Sequence, residues 1–101
     1  MAIVADPREA AAGANVLYTD VWVSMGQDAE RDDRLRTFEP YRLDASMLGL
    51  AAADAVAMHD LPAHVGEEIT EDVLYGARSL VWEQAENRLH TQKAVMALVI
   101  A

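Results

Sequence analysis

Short apolar runs alternate with longer stretches of helical pattern along this chain of 101 residues. That rhythm is the one expected of β-α-β units built on a parallel sheet. Ala2–Ala5 is a brief β-type run that closes at Asp6-Pro7. Aspartate is a good helix N-cap and proline suits the first helical position, so a helix is predicted from there through Ala12, stopping at Gly13. Val16–Val23 is the strongest strand candidate, with branched and aromatic residues and no Gly or Pro before Ser24-Met25-Gly26. Gln27–Thr37 is very polar and reads as an exposed helix or mobile loop with local charge pairs, broken by Pro40. Asp44 is placed to cap a short alanine-rich helix through Ala52. Asp54–Met58 is the next strand and runs into His59-Asp60-Leu61-Pro62. Thr70 can cap a helical turn that ends by Gly76, and Ser79–Trp82 is a fourth short strand. Gln84–Ile100 closes the chain as a helix, with Ala85, Leu89, Val95 or Met96, and Val99 on its core side. The expected fold is α/β: three layers, a mostly parallel sheet of about four strands flanked by helices, in one domain over residues 1–101.

Composition narrows the functional classes. Hydrophobic residues make up 52% of the chain, but nineteen of them are alanine, so the core is modest. With 25% charged residues the composition is that of a folded globule. Seventeen acids against eight bases give a net charge of −9, and the bases are scattered singly. A nucleic-acid binder needs a basic face to displace counterions, so that class is excluded. The absence of cysteine removes disulfides, a thiolate nucleophile and Cys-type zinc sites. No apolar window is long enough for a membrane span, and the first residues lack the basic and apolar regions of a signal peptide. A cytoplasmic location and no cofactor are expected.

In open α/β sheets, ligands gather beyond the carboxyl ends of the strands. Three polar clusters fall at such places: Thr19-Asp20 with Ser24-Met25-Gly26, then His59-Asp60, then Glu86-Asn87-Arg88. Each also has a plainer reading. Asp20 can cap a strand end, Ser24-Met25-Gly26 can be an ordinary turn, and Arg88 can pair with Glu86 or Asp60. Trp22 and Trp82 read as core or half-buried packing residues. His59, Asp60, His64 and Glu67-Glu68 are metal-ligand types, but neighbours on a strand face opposite ways and no helical His-x-x-x-His pair occurs, so no metal site is expected.

Three segments carry a resemblance: Tyr18-Thr19-Asp20-Val21-Trp22-Val23-Ser24-Met25-Gly26, His59-Asp60-Leu61-Pro62-Ala63-His64, and Ala85-Glu86-Asn87-Arg88-Leu89-His90-Thr91-Gln92-Lys93-Ala94. In that order and spacing they resemble the ornithine carbamoyltransferases, in the distal part of the second, ornithine-binding domain. The resemblance implies a partial Rossmann-like or flavodoxin-like domain. It also implies that the family's first domain is missing, since its Ser-Thr-Arg-Thr and His-Pro-x-Gln motifs are absent, together with the opening strand and helix of the second domain.

The family transfers a carbamoyl group from carbamoyl phosphate to the side-chain amine of ornithine. The resemblance then implies that Asp20 binds the α-ammonium of ornithine, with Ser24 and the Met25 backbone along the amino-acid end. Leu61 would offer its carbonyl near the reacting amine, and Arg88 would polarise the carbamoyl oxygen. Both pairings are chemically sensible, a carboxylate for an ammonium and a guanidinium for developing oxyanion charge. Two positions depart from the family pattern. Asp60 stands where the family writes cysteine, and Val65 where it usually writes arginine. A carboxylate there favours the ammonium form of a nearby amine, which must be neutral to attack.

The reading that follows is a non-catalytic fragment or redesigned scaffold derived from the ornithine-binding domain, self-associating as a homodimer. Two alternatives stand beside it. One is a transferase half that needs the missing carbamoyl-phosphate domain; the other is an amino-acid-binding module that holds ornithine weakly without turnover.

Overall fold

The computed structural model describes residues 1–26 and 28–100. At its centre β1 (Val16–Thr19) and β2 (Val56–His59) pair in parallel, Val16 opposite Val56 and Thr19 opposite His59. The other side of β2 takes one further parallel bridge, between Ala57 and Ser79. Ala57 N–H donates to the Arg78 carbonyl (2.8 Å) and Leu80 N–H to the Ala57 carbonyl (2.9 Å).

Connections between these strands are helical, as the apolar periodicity requires. α1 (Pro7–Ala11) starts at Asp6, whose Oδ1 accepts from the Arg8 N–H at 2.9 Å. It stops before Gly13, which takes a positive φ of 70° and donates its N–H to the Leu50 carbonyl at 3.0 Å. That left-handed turn favours glycine. α2 (Arg31–Phe38) is the polar helix; it buries none of its residues and carries an Arg34–Glu30 pair at 3.2 Å. A 3-10 turn at Glu39–Tyr41 contains Pro40 and ends the polar segment. Gln27 lies outside the described residues. α3 (Ala45–Leu50) is capped by Asp44, which accepts from the Met47 N–H at 2.8 Å. α4 (Glu71–Leu74) follows Thr70, whose hydroxyl makes no capping bond.

α3, α4 and β2 supply most of the core: Met47, Leu48, Ala57, Val73 and Leu74, joined by Ala11, Leu43, Ile69 and Val81. Arg78 closes the bottom of this layer, with Nε on the Ala55 carbonyl (2.6 Å) and a guanidinium nitrogen on the Ala52 carbonyl (2.7 Å). No other side chain serves these two carbonyls among the described residues. Arg78→Ala is expected to cost about 2 kcal/mol, since two partly buried acceptors lose charged donors. Urea denaturation measures this; an unchanged midpoint would show that water replaces the guanidinium at no cost.

Several sequence expectations change. Ala2–Ala5 forms no strand and lies exposed, with Ile3 95% accessible. The run makes no ladder bond to the open edge of β1, and among the described residues its one hydrogen bond comes from the Tyr41 hydroxyl, which donates to the Ala5 carbonyl at 2.9 Å. The strand expected to reach Val23 ends at Thr19, level with the end of β2. Beyond that point there is no partner backbone, and Trp22 and Val23 turn inward to become buried, Trp22 stacking near Phe38. At Ser79–Trp82 only Ser79 bridges, because the helix begins at Val81, which is fully buried. The sheet among the described residues is therefore two strands and one bridged residue, rather than four strands.

The terminal helix α5 (Val81–Val99) differs most. Ala85, Leu89, Val95, Met96 and Val99 were expected on the core side, yet all are exposed, and only Val81 is buried. Nineteen residues make a helix about 28 Å long. It meets the sheet chiefly at β2 through its first turn, and the rest of the helix extends past the core. Trp82 stays partly exposed against Tyr75, with ring centroids 5.5 Å apart.

Candidate functional site

Thr19 pairs with His59, so the next residues on the two strands, Asp20 and Asp60, leave the sheet side by side at its carboxyl end. Both are exposed. Asp20 Oδ1 accepts the N–H of Val21 at 2.6 Å, which fixes the turn leaving β1. Gln84, in the first turn of α5, ties the two strand ends together. Its Oε1 accepts from the His59 N–H at 3.1 Å, and its Nε2 donates to the Tyr18 hydroxyl at 2.7 Å.

Behind Asp60 the chain is held by a buried pair. His59 and Glu68 are both fully buried, and His59 Nε2 lies 2.8 Å from Glu68 Oε1. The Leu61 N–H donates to His59 Nδ1 at 2.8 Å, so that nitrogen presents its lone pair and the ring hydrogen sits on Nε2, facing the carboxylate. Asp60 Oδ1 also lies 3.5 Å from Nδ1, but an acceptor already in use offers it no hydrogen bond. Glu68 Oε1 takes a second donor, the His64 N–H, at 2.7 Å. One imidazole and one carboxylate thus fix the backbone at Leu61 and at His64. Leu61 is held at a φ of 58°, a left-handed conformation that costs a branched residue energy and that these bonds sustain. The Leu61–Pro62 peptide is cis.

The turn after β1 meets this loop. Val23, Ser24 and Met25 line one side of a cavity of about 370 Å³, with Pro62 and His64 on the other. Asp20 and Asp60 thus follow adjacent strand ends, with Leu61 next in the chain, while Ser24 and Met25 line this cavity and Asp20 lines a separate groove with Tyr18 and Trp22. Arg88 does not join them. It lies exposed on α5 and makes no hydrogen bond or ion pair among the described residues. Its neighbour Glu86 faces His90 instead, at 3.5 Å. The buried His59–Glu68 pair was missed in the sequence, where only the order of residue types was visible. A strand-end histidine nine positions before a glutamate was the available signal.

The architecture is that of a Rossmann-like α/β domain, a class in which ligands bind beyond the carboxyl edge of the parallel sheet. The family model described as "Aspartate/ornithine carbamoyltransferase, Asp/Orn binding domain" matches residues 1–99, and the chain belongs to that family. Curated relatives include ornithine carbamoyltransferases: that of Gloeobacter violaceus is 58% identical over 98 residues, covering 97% of this chain and 31% of the relative. Among solved structures, the ornithine carbamoyltransferase of Pyrococcus furiosus is similar with a TM-score of 0.87 at 53% identity, over 93% of this chain and 30% of that one. An acetylornithine transcarbamylase complexed with acetylcitrulline is similar at 30% identity and a TM-score of 0.77, over 93% and 29% of the two chains. The chain thus spans about a third of the length of the relatives it matches. No helix among the described residues is long and apolar enough to cross a membrane.

Proposed function

We propose that these 101 residues are the amino-acid-binding part of a carbamoyltransferase, able to hold ornithine weakly and unable to transfer a carbamoyl group alone. The adjacent strand-end positions of Asp20 and Asp60, with Ser24, Met25 and Leu61 on the loops that follow, carry this reading. Two exposed carboxylates at adjacent strand ends suit a ligand bearing two ammonium groups. In this reading Asp20 takes the α-ammonium, Ser24 and Met25 flank the amino-acid end, and Asp60 and the Leu61 carbonyl face the side-chain amine.

The same chemistry opposes turnover. A carboxylate at position 60 holds the amine as ammonium, which has no lone pair for attack. Carbamoyl phosphate needs a cluster of cationic donors, and most of the chain's arginines are engaged elsewhere. Arg31 pairs with Glu67, Arg34 with Glu30, Arg36 with Asp33, while Arg42 and Arg78 bind backbone carbonyls. Arg88 remains the one arginine assigned to the carbamoyl oxygen, and its distance from any partner leaves that role to a fuller assembly. This chain also pairs with a second copy of itself, as argued below, and a cytoplasmic setting fits it.

Pure chain supplied with ornithine and carbamoyl phosphate is expected to form no citrulline above background, and Asp60→Cys alone is expected not to change that. Calorimetry with ornithine and norvaline separates binding from inertness. Norvaline lacks the terminal amine, so it should bind at least about threefold more weakly if Asp60 faces that group. Citrulline production by the isolated chain would overturn the proposal; equal binding of the two ligands would remove Asp60 from the site.

A further inference from the structure

The loop after the strand-end site carries a group of side chains to which the proposed ornithine contacts assign no role, although His64 also lines the cavity opposite Ser24 and Met25. His64, Glu67 and Glu68 each present one ligand atom, and those three atoms lie within 4.8 Å of one another. His64 Nδ1 is 4.0 Å from Glu68 Oε2. Glu68 is fully buried, and its two oxygens are used unequally. Oε1 is occupied by His59 Nε2 and the His64 N–H, whereas Oε2 is buried without any hydrogen-bond partner. Glu67 repeats the pattern: Oε1 pairs with Arg31, and Oε2 is buried and unpartnered. A buried carboxylate oxygen without a donor is costly, and two such oxygens together are unusual.

We infer that His64 Nδ1, Glu67 Oε2 and Glu68 Oε2 form a binding site for a divalent cation of the zinc type. One imidazole nitrogen and two carboxylate oxygens suit such an ion, whose bonds to nitrogen and oxygen are about 2.0–2.2 Å. Drawing the three atoms onto one centre takes a modest side-chain movement, chiefly of His64, the exposed member. The bonds that His59 and the His64 backbone make to Glu68 Oε1 orient the carboxylate so that Oε2 is the oxygen left for the metal. Support of a ligand by such outer partners is the usual arrangement at metal centres. Arg31 lowers the affinity by its charge, but it occupies the other oxygen of Glu67. No catalytic role is required of the ion; it would clamp the loop over residues 64–69 beside the strand-end site.

The test is calorimetric titration of the 101-residue chain with zinc chloride, alone and against a competing chelator. One zinc per chain is expected, with a zinc-dependent rise in Tm. His64→Ala, at an exposed ring with no hydrogen bond of its own, should weaken uptake at least tenfold and abolish the Tm rise. Glu67→Gln should weaken it in the same direction, and His90→Ala should leave it unchanged, although His90 and Glu86 are another exposed imidazole–carboxylate pair. Absence of stoichiometric uptake, full uptake by His64→Ala, or loss of uptake in His90→Ala would each overturn the assignment.

Discussion

Replacing Glu68 with alanine is expected to destabilise the chain by about 3–5 kcal/mol, a large part of the roughly 5–15 kcal/mol that holds a domain folded. The carboxylate is fully buried, and Oε1 accepts both His59 Nε2–H and the His64 N–H. Its removal strands two donors away from water, each at a cost of about 1–3 kcal/mol. The consequence reaches the site. His59 Nδ1 holds the Leu61 N–H, so an imidazole freed to turn no longer sustains the left-handed backbone at Leu61. The loop bearing Asp60 and Leu61 then loses its place beside the end of β1. Urea denaturation followed by tryptophan fluorescence measures the loss. The double variant His59→Leu/Glu68→Leu should be less destabilised than the sum of the single changes, because no unpaired donor or carboxylate then faces the other. A single-variant cost below about 1 kcal/mol, or strictly additive effects, would show that the pair contributes little.

A chain at micromolar concentration is expected to scatter light as a species of twice the 11.1 kDa chain mass. β1 pairs with β2 on one side only, and no strand covers its other edge among the described residues. That edge borders an apolar groove of about 480 Å³, lined by Val4, Val16, Tyr18, Trp22, Phe38 and Met47. Val16 and Tyr18 are about half exposed. Lysines, prolines or bulges usually discourage pairing at such an edge, and Val16–Thr19 carries no lysine or proline. α5 adds exposed Leu89, Val95, Met96, Leu98 and Val99. Apolar surface of this extent favours being covered. A twofold contact satisfies both copies at once, and the charge of −9 opposes it weakly at physiological salt, where screening acts over about 8 Å. Val16→Lys should shift the equilibrium towards monomer at least tenfold, whereas Leu89→Glu with Met96→Glu tests α5 separately. A monomer that persists from micromolar to millimolar concentration would mean that the groove needs no partner.

The sequence by itself determined the α/β class, the two paired strands and the caps at Asp6 and Asp44. It did so because those signals are local: a capping carboxylate acts on an N–H two or three residues away, and branched runs favour extended backbone wherever they occur. It also put Ser24-Met25-Gly26 and His59-Asp60 near the ends of apolar runs, while Asp20 fell inside the strand expected to reach Val23. Only the tertiary structure decided which apolar runs become strands. Ala2–Ala5 and Ser79–Trp82 have strand-like composition, yet the first does not pair with the open edge of β1 and the second turns into α5 after a single bridge. Only the fold decided that α5 carries its apolar residues into solvent, because periodicity marks a face without saying what lies against it. The same holds for His59 and Glu68. Nine positions of chain separate them, and nothing in residue type alone shows that a tight loop brings an imidazole and a carboxylate to 2.8 Å, both fully buried.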